Sequence, residues 1–284
     1  MFVPVIAFYV IFKYAPIAGT IIAFKNYNMF DGIFNSPWVG LHNFKLLFSQ
    51  PGTLNIILNT LVLSALRLII GFPVPIILAL LLNEVRNIAF KRVTQTIVYL
   101  PHFFNWVIVG GMVLTIFSME SGIINQVTEK VSGAVYPYLY TSGSWIAIFI
   151  GSGIWKEMGF SAIIYLAALS SIDPYLYEAA SIDGAGKFRK IWHITLPGIR
   201  TTIIILFILS TGHVMEVGFD HVYVLQNPAV ANVSEVISTY MYRVGLQGAK
   251  FSLTTAMGLF ESIVGLVLVL STNWIARKFD HGLF

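Results

Sequence analysis

Only 11% of this 284-residue chain is charged and 57% is apolar, where a soluble domain carries about 25% charged and about 45–50% apolar residues. That deficit, with a mean hydropathy of +0.79, excludes a soluble enzyme and points to a bundle of membrane-spanning helices. Without cysteine there are no disulfides, thiolate metal sites or thiol nucleophiles. The net charge of +4 reflects basic residues gathered on the cytoplasmic side of a membrane, not a nucleic-acid partner.

Six apolar stretches, in chain order 2–24, 59–82, 94–117, 144–169, 201–219 and 252–276, are each long enough to cross a hydrocarbon core of about 30 Å. The first has neither a basic leading region nor a small-residue cleavage site, so it reads as a retained span. The connection after it, 26–55, is rich in turn residues such as Asp31-Gly32, Ser36-Pro37 and Gln50-Pro51-Gly52. Between them Trp38, Phe44, Leu46, Leu47 and Phe48 suggest a short interfacial helix. One set of connections holds Arg86, Lys91, Arg92, Lys187, Arg189, Lys190, Arg200, Arg277 and Lys278; the other holds only Lys25, Lys45, Lys130, Arg243 and Lys250. The first set is therefore expected to be cytoplasmic, and six spans then place both termini inside.

Lys13, Arg67, Lys156, Glu157, Glu216 and Glu261 fall within the spans. Each costs about 2.5–3.5 kcal/mol at a helix centre, so most are expected to face the bundle interior, a cavity or an interface, with Lys13 placed to snorkel. Helical spacing groups the polar residues on three faces: His102, Asn105 and Trp106 in the third stretch, just after Pro101; Ser152, Trp155 and Lys156, with Glu157 beside them, in the fourth; His213, Glu216 and Asp220 in the fifth. Two readings stand side by side. Such groups tie helices together through hydrogen bonds, with Lys156 paired to Glu216 or Glu261, or they line a path for a polar substrate. A sugar suits the second reading, since aromatic rings stack on its apolar faces while amides and carboxylates bond its hydroxyls. Metal binding is disfavoured, because no histidines or carboxylates recur at ligand spacing.

The connection 170–200 reads as helix, turn, helix. Asp173 is a good N-cap, Pro174 suits the first helical turn, and Gly184 ends the helix in a left-handed C′ position. A second helix is expected over 187–194, stopping at Leu196-Pro197. Ala179, Ala180, Gly184, Ala185 and Gly186 make one side smooth, and Glu178 stands out as a charged handle. This shape suits docking into a cleft of another protein better than holding a small ligand. Ser181 and Phe188 occupy the positions where a phosphate-binding loop around Gly186-Lys187 needs a glycine and a hydroxyl residue, so no nucleotide site is expected in this chain.

Glu178-Ala179-Ala180, Gly184, Ile194, Leu196 and Pro197 fall in the spacing EAA-x3-G-x9-I-x-LP, and this resembles the EAA loop of binding-protein-dependent ABC importers. Tyr99-Leu100-Pro101-His102-Phe103, Ile191-Trp192-His193 and Ser36-Pro37-Trp38-Val39-Gly40 are similar to carbohydrate permeases related to the membrane subunits of the maltose transporter, in the LplB-like oligosaccharide and polysaccharide-fragment branch. Leu225-Gln226-Asn227-Pro228 departs from the Gly-Gly-Pro that many of those relatives carry.

The resemblance implies an all-α membrane protein with six transmembrane helices of the type I ABC importer (MetI-like) permease fold. It further implies a single permease domain over 1–284, cytoplasmic N and C termini, and a multi-pass place in the bacterial cytoplasmic membrane. Its expected partners are two ATPase subunits, a second and homologous permease subunit, and an extracellular solute-binding protein. No cofactor is expected in this chain; ATP and Mg belong to the partner ATPase subunits, and the chain is not itself an enzyme. Glu178 is then expected to form an ion pair with the ATPase, Gly184 to shape the inserted turn, and the substrate to be an oligosaccharide moved by alternating access. Importers of peptides, amino acids or ions share the same loop and form the alternative. An intramembrane enzyme built on Glu157, Glu216 and His213 would gain nothing from it.

Overall fold

The computed structural model describes residues 2–278. Among them every regular element is a helix, and the one extended contact is a backbone bridge between Lys25 and Trp38. Helix α1 (Val3–Phe24) is largely apolar apart from Lys13 and Thr20, and it packs against the rest of the chain mainly through residues 19–24. A short helix is present where one was expected, α2 (His42–Ser49), with Leu47 buried; Trp38 lies outside it and stacks on Phe24. Helix α3 (Thr53–Glu84) contains a wider π turn over Arg67–Gly71, directly ahead of Pro73. Proline cannot donate and its ring crowds the carbonyl four residues back, so the ladder slips by one residue there.

The third apolar stretch is not one straight span. Helix α4 (Ile88–Phe103) ends in a tight turn at Pro101, and α5 (Trp106–Ile116) leaves it at an angle of 103°. Each half has its own start. Asn87 Oδ1 accepts from the Phe90 amide at 3.0 Å, and Asn105 Oδ1 accepts from the Ile108 amide at 2.9 Å. An asparagine cap in mid-stretch satisfies amides that a break would otherwise orphan. After α6 (Ile123–Ser132) comes α7 (Ser142–Ser170), the centre of the bundle, which packs on the second half of α3 and on α4. Its 29 residues reach about 43 Å, well beyond the hydrocarbon core.

The fifth stretch also breaks. Helices α8 (Pro174–Ile182) and α9 (Lys187–Gly198) precede α10 (Arg200–Gly212), which turns from α9 by 61°. It stops at Gly212 and not at the expected Phe219; residues 213–218 are irregular, and a short helix α11 (Phe219–Leu225) follows. The chain closes with a helical turn over 237–247, α12, and the long α13 (Phe251–Arg277).

Three cores hold this arrangement: Leu63, Trp145, Phe149, Val222 and Leu225 around α7 and α11; Leu47, Ile57, Tyr240 and Met257 between α2, α3 and α13; and Ala79, Ala162, Tyr165 and Ile199 at the end near α9. Lipid is as apolar as leucine, so close packing and polar stitches do most of the work inside a bilayer. Asn59 Nδ2 donates to the carbonyls of Asn232 and Glu235 at 2.9 and 3.0 Å, and the Ile237 amide donates to Thr60 Oγ1 at 3.0 Å. At Gly159 a Cβ would lie 1.9 Å from the Val98 carbonyl oxygen, so α7 and α4 meet backbone to backbone.

Candidate functional site

The EAA-spaced residues form a hairpin standing off one end of the bundle. Asp173 Oδ1 accepts from the Tyr175 amide at 3.0 Å and starts α8, as the sequence predicts. The helix closes with the Ala185 amide donating to the Ala180 carbonyl at 2.8 Å and the Gly184 amide to the Ser181 carbonyl at 3.2 Å. Gly184 sits at φ +71° between them. This paired closure requires the left-handed conformation at Gly184, which glycine reaches without steric cost. The return helix α9 runs on past the expected residue 194 because a π turn over Ile191–Thr195 absorbs the strain ahead of Pro197.

Two bonds brace the arms: Tyr177 Oη to Thr195 Oγ1 at 3.0 Å, and the Lys190 ammonium to the Ser181 hydroxyl. Just after the turn, exposed Lys187 lies 3.3 Å from Glu84 at the end of α3, and at the base of the hairpin Gly198 leaves no room for a Cβ against Ile172. Glu178 and Ala179 are exposed, Ala180 and Ile194 half-buried. Around them Tyr175, Leu176, Ile182, Phe188 and Trp192 stand more than half exposed. A braced hairpin carrying a free carboxylate within an apolar collar is the chemistry of a docking surface. Leu196 is half-buried and Pro197 exposed where α9 leads toward α10.

The intramembrane polar residues divide differently from their helical spacing. Lys156 is 6% exposed and pairs with its neighbour Glu157 at 2.9 Å, not with Glu216 or Glu261. Its ammonium also donates to the His102 carbonyl at 3.0 Å, and Glu157 Oε2 meets His102 Nδ1 at 2.8 Å. Because the break falls between them, His102 ends α4 while Asn105 caps α5 and Trp106 begins it, so they share no helical face. Trp106 nevertheless turns inward, with Lys156 5.3 Å from its ring and His221 stacked on it at 3.7 Å. Ser152 Oγ lies 3.0 Å from His221 Nε2, whereas Trp155 is 42% exposed and points away from this group.

His213 and Glu216 do meet, at 3.1 Å, but on an exposed rim. Asp220 is exposed on α11, and the buried residue is the adjacent His221. The irregular 213–218 shifts the helical phase, so spacing counted from His213 misplaces the face. His221 was not among the residues singled out by spacing, and Gly218, at φ +93°, marks the interruption.

A cleft of about 520 Å³ opens between α3, α7 and α10, lined among others by Arg67, Glu157, Tyr165, Ser210, His213 and Glu216. A second of about 690 Å³ lies between Glu216, Tyr242 and Glu261. Of the residues grouped by spacing, Glu157, His213 and Glu216 line the first. His102, Trp106, Ser152 and Lys156 brace its wall from behind. Among the described residues no group of histidines and carboxylates could hold a metal ion.

Residues 71–284 match the family described as the binding-protein-dependent transport system inner membrane component. The chain is 46% identical over its whole length, and over 89% of the relative, to the polygalacturonan/rhamnogalacturonan transport system permease protein YteP of Bacillus subtilis (strain 168). It is 43% identical to the LplB protein of the same organism, over the whole chain and 90% of the relative. Its structure resembles a subunit of a bacterial ABC transporter involved in import of the acidic polysaccharide alginate, with a TM-score of 0.90 and 43% identity over 97% of this chain and 93% of that one. A second solved structure, of the bacterial alginate ABC transporter in complex with alginate pentasaccharide-bound periplasmic protein, matches equally, with a TM-score of 0.90 and 42% identity over 98% of this chain and 93% of that one. The spans, the breaks and the braced hairpin belong together because the chain is a member of the binding-protein-dependent transport system inner membrane component family.

Proposed function

We propose that this chain is the membrane-spanning permease subunit of an ATP-driven ABC importer for oligosaccharides or polysaccharide fragments, working by alternating access. The observation that carries the reading is the hairpin 173–198, whose closure at Gly184 presents Glu178 and an apolar collar away from the bundle. The carbohydrate substrate is supported by the relatives named for polygalacturonan/rhamnogalacturonan and alginate transport; nothing comparable favours peptides, amino acids or ions. Its place is the bacterial cytoplasmic membrane, with both termini and the hairpin on the cytoplasmic side and the whole of 1–284 acting as one permease domain.

Glu178, Ala179, Ala180 and Gly184 would insert into an ATPase subunit, with Ile194, Leu196 and Pro197 carrying the return arm back to α10. A second permease completes the pore, and a solute-binding protein delivers sugar to the opposite mouth. ATP and Mg act in the two ATPase subunits; this chain supplies path and lever. Glu157, Glu216 and the His213 rim line the path, while His102, Asn105, Trp106, Ser152 and Lys156 hold its walls. An enzyme built on Glu157, Glu216 and His213 is disfavoured because Glu157 is engaged by Lys156 and His102 instead.

The test is reconstitution in proteoliposomes with its ATPase subunits, second permease and binding protein. ATP-dependent accumulation of an oligosaccharide is the expected result. Accumulation of peptides alone would reject the substrate, and uptake independent of ATPase subunits would reject the mechanism.

A further inference from the structure

The connection after α1 carries two aromatic side chains that the chain itself leaves bare: Phe30 is 96% exposed and Phe34 93%. They stand on a tip whose backbone is closed on itself. The Gly32 amide donates to the Asn28 carbonyl at 3.0 Å, the Phe30 amide to Asn28 Oδ1 at 3.1 Å, and the Asn28 amide to Ser36 Oγ at 3.1 Å. Ser36 Oγ in turn donates to the Gly32 carbonyl at 2.6 Å. The Lys25 ammonium turns inward and donates to the carbonyls of Ile33 and Phe34 at 2.7 and 3.0 Å, while the backbone bridge from Lys25 to Trp38 closes the base. The rings are thus held outward by a folded knuckle.

Three observations say what covers them. First, a segment that enters lipid must satisfy its polar backbone groups internally, and this tip does so, using its one lysine on carbonyls. Second, the tip is nearly uncharged. Between Lys25 and Lys45 the only acidic or basic side chain besides His42 is Asp31, which accepts from Asn28 Nδ2 at 2.9 Å. Third, the rings continue a lipid-facing surface. Ile17 and Ile21 of α1 are exposed, and at the end of α1 Phe24 is stacked on Trp38, itself exposed. The 22 residues of α1 span about 33 Å, so the knuckle begins at the far edge of the hydrocarbon core, where aromatic side chains gather. This is the end of the bundle opposite the hairpin: the Tyr27 amide donates to Ser252 Oγ at the start of α13, and α2 packs on the first half of α3, whose other end meets Lys187.

We propose that Phe30 and Phe34 insert into the outer leaflet of the bilayer and anchor the outer end of α1 there. The inference goes beyond the importer reading above and takes from it only the cytoplasmic side of the hairpin. A soluble binding protein that comes and goes would return both rings to water between visits, whereas the lipid surface covers them continuously.

The chain has no cysteine, so Phe34→Cys and, as a reference beside it on the exposed tip, Asn35→Cys each take a single nitroxide label. The complete importer, its other subunits free of cysteine, is placed in lipid nanodiscs. Collision with oxygen, which concentrates in lipid, is measured against collision with a water-soluble nickel chelate. For a side chain seated in the headgroup and acyl boundary, the oxygen-to-nickel ratio is expected to be at least about threefold higher at 34 than at 35. Adding loaded binding protein should leave it unchanged. Equal ratios at 34 and 35 would overturn the proposal by placing Phe34 in water. Nickel access at 34 that disappears when binding protein is added would overturn it in favour of a protein dock, and low access to both reagents throughout would overturn it in favour of packing on the second permease. An impermeant maleimide should label Asn35→Cys from outside the cell. Labelling only in inside-out vesicles would overturn the orientation and with it the outer leaflet, a failure that the collision ratios keep separate from loss of the lipid contact.

Discussion

At Gly184 the requirement is conformational and nothing else, because a Cβ added there meets no atom within 4 Å and φ is +71°. A left-handed non-glycine residue costs about 1–2 kcal/mol, less for asparagine. Gly184→Val should therefore lower ATPase stimulation by loaded binding protein most, Gly184→Ala less, and Gly184→Asn least; equal loss in Asn and Val would contradict a purely conformational role. The Lys156–Glu157 pair makes a second prediction. Glu157→Gln leaves a buried ammonium bonded to the His102 carbonyl and to a neutral amide, at a cost of up to about 3 kcal/mol. Lys156→Met with Glu157→Gln should recover most of the thermal stability lost in detergent, and additive losses would argue against coupling. Helical spacing in the sequence identifies these residues as inward-facing polar groups but not their partners. Lys156 reaches its own neighbour because the α4–α5 break brings the His102 carbonyl and ring against α7, a contact that no periodicity within one stretch encodes.

The elements were most legible where one helix crosses without interruption. The ends of α7 and α13 fall within two residues of the apolar runs that predict them, α3 begins six residues ahead of its run, and Asp173, Pro174 and Gly184 bound α8 as capping chemistry requires. The broken pairs were not legible. Pro101 signalled an interruption but not a turn of 103°, and the stop at Gly212 lies within a continuous apolar run. The irregular stretch after Gly212 is met by another helix, with Arg67 reaching the Val217 carbonyl. Where helices touch through backbone, small residues are obligatory. Gly159→Val should cost at least about 1–3 kcal/mol by forcing α7 from α4, whereas Gly143→Ala, on the same helix with open space around it, should leave the melting temperature unchanged. A Gly159→Val protein as stable as wild type would refute that contact.

Across the whole molecule the hairpin and the cleft share their walls. Helix α7 carries Gly153, Glu157 and Ser161 along the cleft and is joined by the three residues 171–173 to the hairpin, which returns through α9 to α10, bearing Leu206 and Ser210 on the opposite wall. From Gly153 to Ser170 is about 26 Å of uninterrupted helix, so in the proposed reading a push on the hairpin reaches the two walls through two joints, the non-helical residues 171–173 and the 61° turn at Ile199. Family membership could be read from the EAA spacing, and the helical, membrane-spanning character of the chain from hydropathy. The proposed lever could not, because it depends on which helices the breaks bring together.

Since the sequence holds no cysteine, Glu178→Cys is a single-site probe of this lever. In inside-out membrane vesicles containing the complete importer, that cysteine should form a crosslink with an ATPase subunit. The yield should change when ATP is bound, and an impermeant maleimide should label the residue only from the cytoplasmic face. A cysteine at 178 labelled from outside the cell, or one that forms no crosslink to the ATPase in any nucleotide state, would contradict coupling through this hairpin.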